Sequence, residues 1–165
     1  MEVLTVPDPR LKQVSEPVEE FDSSLQEFVN DLSQTLVSSA GGVGIAAPQV
    51  ARFNRIVIVD VSVKENIKHH GKLILVNPEI LDWQGMQKGR EGCMSVPDYT
   101  GNVIRAKKIK LKAYDQFGKL NHYECEGYEA RAIQHEIDHL DGIVFLDRLV
   151  SRRADLFERK APQQG

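Results

Sequence analysis

The sequence is short of several things, and each shortage excludes something. No run approaches the roughly 18 apolar residues that a membrane span needs, so no membrane association is expected. Positive charge does not dominate: 21 Lys and Arg stand against 24 Asp and Glu, a formal net charge of −3. That balance gives no overall case for specific DNA binding or for an anionic membrane surface. Cysteine is scarce, with only Cys93 and Cys125. The two could pair, but Met1 leads straight into "EVLTVPDPRL" without a basic-plus-apolar leader. A cytoplasmic protein is therefore expected, with reduced thiols or a thiolate metal ligand rather than a disulfide. Repeats and low-complexity linkers are also missing. The 165 residues are expected to form a single domain with its own core, and nothing in them suggests more than a monomer.

What is there reads as alternating patterns. In "FDSSLQEFVNDLSQTLVSSAGG", Leu25, Phe28, Val29, Leu32 and Leu36 fall at helical spacing. Asp22 or Ser23 can cap the start, and Gly41-Gly42 end it. Residues 55–63 ("RIVIVDVSV") and 72–80 ("KLILVNPEI") read as strands flanking a polar loop. "KKIKLKAY" alternates, meets the turn "DQFGK", and returns through "LNHYECEG". From about Tyr128 the spacing is helical again, with Ala130, Ile133, Ile137 and Leu140 on one stripe. A last short helix is expected over about 152–160. This order predicts an α+β fold, with mainly antiparallel sheets packed around that second helix.

The second helix carries "QHEIDH", residues 134–139. His135 and His139 are one turn apart and face the same way. Two imidazoles so placed can hold one divalent ion, with Glu136 beside it as a general base. Alone, the match is equally compatible with the wet face of an ordinary helix. The remaining ligand decides. A metzincin would need a histidine where Phe145 stands, and Glu158 lies in a basic terminal segment ill-suited to a thermolysin-like role. A thiolate remains. Cys93 lies in "EGCMS", a turn-like, glycine-flanked stretch, whereas Cys125 lies within a strand where a small buried cysteine is the usual outcome. Cys93 is favoured.

Three segments together resemble the peptide deformylase family: "GVGIAAPQ" (42–49), "EGCMS" (91–95) and "QHEIDH" (134–139). Their order and separations make the likeness specific, and it spans about Leu4 to Leu149. The resemblance implies that Cys93, His135 and His139 bind one divalent metal ion, with water in the fourth position. Fe2+ is the implied physiological ion, and Ni2+, Co2+ or Zn2+ can substitute. It further implies removal of the formyl group from N-formylmethionyl peptides leaving the ribosome, and support of the site by Glu91, through Arg105.

The chemistry agrees with that implication. Two histidines and a cysteine leave a tetrahedral position open for water, whose pKa a metal lowers towards neutrality. Glu136 can take the water's proton and pass it to the leaving amine. The oxyanion formed from a formamide needs waiting donors. Gln49 offers its side-chain amide and Met94 its backbone N–H, as the family also has it. The expected substrate-facing set is Val43, Gly44, Glu91, Gly92, Tyr128 and Ala132. Among these, Val43, Tyr128 and Ala132 are candidates for an apolar methionine pocket. His69, His70 and His122 read as inert.

Two other readings compete. One is a metallo-endopeptidase, disfavoured by the thiolate and by the small chain. The other is a non-catalytic protein holding structural zinc, with Cys125 as a fourth ligand. The basic end, "DRLVSRRADLFERKAPQQG", admits attraction to ribosomal RNA phosphates. No candidate site residue lies beyond His139, so truncation after Leu149 is expected to leave activity on a small peptide untouched.

Overall fold

A computed structural model describes residues 1–159. In chain order the elements are α1 (Ser23–Val37), β1 (Gly44–Ala46), β2 (Ile56–Asp60), β3 (Lys72–Gln84), β4 (Gln87–Cys93) and β5 (Val96–Arg105). Then follow β6 (Lys108–Tyr114), β7 (Leu120–Glu126), α2 (Gly127–Leu140), α3 (Arg152–Asp155) and β8 (Leu156–Glu158). The fold is α+β and every strand pairing is antiparallel: one sheet runs β1-β2-β3-β6-β7, the other β4-β5-β8.

At its β1–β2 end the first sheet is buried on both faces, which explains the unbroken apolar run "IVIV" in β2. Ile56 and Ile58 point to one side, where they meet Ile45, Val76 and the α1 stripe Leu25, Phe28, Val29, Leu32 and Leu36. Val57 and Val59 point to the other, where Leu75, Leu111 and the α2 residues Ala130, Ile133 and Leu140 close over them. This is the period-2 alternation of a strand serving two helices. Fully burying each such side chain contributes about 1.5–3 kcal/mol. The cap of α1 is Asp22, whose side chain accepts from Leu25 N at 3.0 Å, satisfying one of the helix's free donors. With α1 on one side and α2 on the other, α2 is held in the molecule's middle, its polar face turned towards the second sheet. No helix among the described residues is long and apolar enough to cross a membrane.

Four stretches differ from the sequence-based expectation. The strand expected over 55–63 is confined to Ile56–Asp60, and the one over 72–80 runs on to Gln84. The stretch around Cys93, read as a turn, is the tip of a long β4–β5 hairpin. Its first strand, "QKGREGC", has almost no apolar residue and two glycines, so it carries no strand signal of its own. The helix expected over about 152–160 is a single turn, Arg152–Asp155, and Leu156–Glu158 joins β5 as an edge strand. Asp155 causes the switch. It is buried and takes hydrogen bonds from Ser151 N and Asn102 and an ion pair from Lys88 at 2.8 Å. Phe157 then lies under the Arg90 guanidinium, 3.6 Å from its ring centre. Lys160 falls outside the described residues.

Candidate active site

The site forms where α2 faces the β4–β5 hairpin and the 310 turn Ala47–Val50. From α2, His135 and His139 present imidazoles whose ring centres are 5.2 Å apart. Cys93, at the end of β4, brings its sulfur to 3.3 Å from His139 Nε2. The ligand-capable atoms of Cys93, His135 and His139 all lie within 4.8 Å of one another. A tetrahedral site with bonds of about 2.0–2.3 Å sets its ligand atoms roughly 3.3–3.6 Å apart. The donor set therefore fits a divalent ion. Phe145, the position at which a further histidine is missing, stacks on the His135 ring instead, 6.2 Å centre to centre.

Charge arrangement reinforces the fit. Burial opposes a charged Cys93, but the facing imidazoles of His139 and His135 outweigh it and hold the thiol well below its ordinary range. Burial also opposes a charged His135, and there Cys93 and Glu91 prevail, raising its pKa. Such a thiol is poised as thiolate, the form that ligates metal. Behind His135 stands Glu91. Its Oε1 accepts from His135 Nδ1 at 2.8 Å and from Arg105 Nη2 at 2.9 Å. Its Oε2 accepts from Arg105 Nε at 2.9 Å and Arg131 Nη1 at 2.7 Å. Burial alone would raise the Glu91 pKa; Arg105 and His135 instead depress it strongly. The chain of charges continues from Arg105 to Asp138 at 2.6 Å, and from Asp138 to Arg148 at 2.5 Å. Fixing Nδ1 in this way leaves His135 Nε2 directed inward.

Glu136 is buried beside these groups, and its Oε1 has no hydrogen-bond partner among the described residues. Burial is the main cause that raises its pKa to about 7, against the opposing pull of His135 and His139. Gly44 explains how it fits. A Cβ at residue 44 would lie 2.6 Å from Glu136 Oε2, so β1 can run past the carboxylate only without a side chain. Gln49 is equally fixed. Its Oε1 accepts from Ala46 N at 2.9 Å, which turns Nε2 towards Ser95 Oγ at 3.0 Å and Cys93 Sγ at 3.5 Å.

A cleft of about 400 Å3 opens onto His135, Glu136 and Cys93. Val43, Gly44, Gly92, Met94 and Tyr128 help to line it. A smaller side pocket reaches Glu91 and Ala132 and shares Val43 and Tyr128 with the cleft.

The polypeptide deformylase family matches residues 1–155. A peptide deformylase of Nautilia profundicola is 43% identical over 161 residues, which is 97% of this chain and 92% of that protein.

This chain belongs to the peptide deformylase family.

Solved relatives agree. The crystal structure of a peptide deformylase from Legionella pneumophila matches with a TM-score of 0.81 and 41% identity, covering 89% of this chain and 84% of that one. A Met-Ala-Ser-bound class I type b peptide deformylase from Acinetobacter baumannii matches with a TM-score of 0.82 and 35% identity, covering 89% of this chain and 96% of that one. Peptide deformylases are metal-dependent hydrolases that remove the N-formyl group from nascent peptides, and the chain is an enzyme of that kind.

The deformylase residues singled out in the sequence come together in space. The exceptions are informative. Cys125, offered as a fourth zinc ligand, lies elsewhere, against His70 and Glu129. His70, read as inert, donates its backbone N–H to Glu129 Oε2 at 2.7 Å and sets Nδ1 2.6 Å from Oε1. Sequence reasoning also missed Ser95, Arg131 and Arg148, whose roles depend on partners distant in the chain. The expectation that nothing beyond His139 reaches the site is overturned, because Arg159 lines the cleft. Pairing of β8 with β5 carries it there, and no local pattern could have announced that pairing.

Proposed function

We propose that the chain hydrolyses the formamide of N-formylmethionyl peptides, releasing formate and a free amino terminus. Cys93, His135 and His139 would hold one divalent ion, Fe2+ in the cell, with Ni2+, Co2+ or Zn2+ able to replace it. When bound, such an ion supplies Lewis-acid chemistry, making water acidic and a carbonyl electrophilic. Glu136 then takes a proton from the attacking water and delivers it to the amine nitrogen as the C–N bond breaks. A carboxylate titrating near neutrality can do both. Gln49 Nε2 and the Met94 N–H receive the developing oxyanion. Gln49 is suited to this because Ala46 already fixes its orientation. Val43, Tyr128 and Ala132 form an apolar wall for the methionine side chain, with Gly44 and Gly92 admitting the peptide backbone. Glu91, both oxygens occupied, acts on the substrate only through His135 and the pocket shape. The Met-Ala-Ser bound to the Acinetobacter relative is the product this cleft would hold.

The observation that carries this reading is the convergence of one thiol, two imidazoles and a partnerless buried carboxylate beside an open cleft that Cys93, His135 and Glu136 line. A single catalytic domain spanning 1–165 would do this work as a monomer in the cytoplasm, where formylated chains emerge. A ribosome contact would use the exposed Arg152 and Arg153, since Arg148 is committed to Asp138. Arg152→Glu with Arg153→Glu should then weaken ribosome binding at low salt and leave peptide turnover unchanged. The function itself is tested by formate release from formyl-Met-Ala-Ser, using protein loaded anaerobically with Fe2+ and, separately, with Ni2+. Formate from the formyl peptide is expected with both. Cleavage of internal peptide bonds without formate would replace this reading with an endopeptidase.

A further inference from the structure

We propose that Arg159 is a peptide-binding residue, gripping a carbonyl-type oxygen of the substrate downstream of the formylated methionine. The inference rests on the deformylase reading of the cleft and extends it to a part of the chain that the three motifs do not touch.

The placement of Arg159 is built rather than incidental. Its backbone N–H donates to the Asp98 carbonyl at 2.8 Å, continuing the ladder in which Glu158 faces Tyr99, Phe157 faces Thr100 and Leu156 faces Gly101. That ladder is anchored by the buried Asp155, held by Lys88 and Asn102, and by Arg90 stacked over Phe157. The backbone at 159 is thus attached to the same hairpin that carries Cys93. The side chain reaches the cleft, whose lining it shares with Gly92, Met94, Pro97 and Tyr128. A Cβ on residue 92 would come within 2.9 Å of Arg159 Nη2. Glycine at 92 therefore leaves the space that the guanidinium uses.

The chemistry follows from what the cleft must hold. Cys93, His135 and Glu136 border the cleft, and the side pocket offers Val43, Tyr128 and Ala132 to the methionine side chain. The rest of a peptide substrate offers oxygens: main-chain carbonyls and, in a short peptide, a terminal carboxylate. Guanidinium is a planar, permanently charged donor suited to both. Arg159 is solvent-exposed at the rim, so the contact should be screened by salt and should add affinity without altering the reacting atoms. Uniform binding of that kind changes KM and spares kcat.

The test uses the full-length, metal-loaded protein and measures both binding of the product tripeptide Met-Ala-Ser by calorimetry and turnover of formyl-Met-Ala-Ser. In Arg159→Gln the Kd and KM should rise about 5- to 20-fold, as for loss of one charge-assisted hydrogen bond, with kcat held within about twofold. Arg159→Lys should recover part of the loss. Peptides ending in carboxamide separate the two oxygen sources. If a terminal carboxylate is gripped, amidation weakens wild type to the level of Arg159→Gln and leaves the variant unchanged. If a main-chain carbonyl is gripped, Arg159→Gln weakens acid and amide alike. Unchanged Kd for both peptides in Arg159→Gln overturns the proposal, and so does a fall in kcat at constant Kd. The calorimetric arm stands apart from turnover. A wild type that binds Met-Ala-Ser but releases no formate would refute the proposed function while still deciding the role of Arg159.

Discussion

Two clusters in this molecule are made from the same kinds of residue and have opposite characters. Cys93, His135 and His139 meet with Glu136 beside them, and Cys93, His135 and Glu136 open onto a cleft. His70, Cys125 and Glu129 meet at the other end of α2, where the chain leaves β7. In the first cluster the thiol is driven down by its imidazole neighbours. In the second it is pushed up to about 12 by burial and by the Glu129 carboxylate. In the first, the carboxylate with two occupied oxygens, Glu91, stands outside and orients a ligand, leaving ring nitrogens free to converge. In the second, whose ligand-capable atoms also lie within 4.8 Å of one another, both oxygens of Glu129 are taken up by the His70 backbone N–H and imidazole. Residue type does not make a metal site. Converging lone pairs do, when their orientation is imposed from behind.

The largest test of that contrast is Cys93→Ala. It should abolish stable metal binding and with it nearly all formate release, read by metal analysis and turnover on the same sample. Retention of a full equivalent of metal would mean the two clusters had been assigned the wrong way round.

Next comes Glu136→Gln, which should keep the metal and lose about 100- to 10,000-fold in kcat, the usual worth of a positioned general base. Turnover near that of wild type would remove Glu136 from proton transfer.

Glu91→Gln probes the orienting carboxylate. Metal affinity should fall about 10- to 100-fold, as for other partners of histidine ligands. Leaving Arg105 buried without its full counter-charge should cost about 3–5 kcal/mol of stability. The pH dependence has a definite sign. Glu91 is depressed in the folded state, so its ionised form contributes fully above the ordinary carboxyl range, near 4.3. That contribution drains away as pH falls below this range towards the folded value. Thermal unfolding of wild type between pH 7 and 3 should show this loss, and in Glu91→Gln the same limb should be flatter.

The second cluster should respond only in stability. His70→Ala takes the imidazole from Glu129 Oε1 while the backbone N–H of residue 70 still serves Oε2, and should cost about 1–3 kcal/mol, with metal content unaltered. The smallest effect is expected of Cys125→Ala, about 1 kcal/mol, with one equivalent of metal and normal kcat. A drop in metal content in either variant would show that the second trio also binds an ion.

Much of the site was legible because its chemistry is local. His135, Glu136 and His139 lie on one helical face at fixed spacing, and a helix guarantees their common direction. Gly44 and Gln49 sit in a short segment whose turn and strand are nearly continuous. Glu91 and Cys93 are two apart on one strand. The paired Arg105 was inferred with Glu91 and is found there. Arg131 and Arg148 were not, since their partners lie 40 and 10 residues away and a surface arginine looks the same in sequence. The β4–β5 hairpin was hidden because polar and glycine residues can form a strand when a neighbouring edge supplies the pairing.

The sequence by itself determined the two helices, most of the five-stranded sheet and the His135–Glu136–His139 face, because those depend on periodicity and on residue types a few positions apart. Only the tertiary structure decided which cysteine faces the histidines, because burial beside imidazole or beside carboxylate sets whether a thiol is poised to ionise. It alone also converted the expected terminal helix into an edge strand. A buried Asp155 and an open edge on β5 outweigh the weak helical preference of one basic turn, and Arg159 is carried into the cleft as a result.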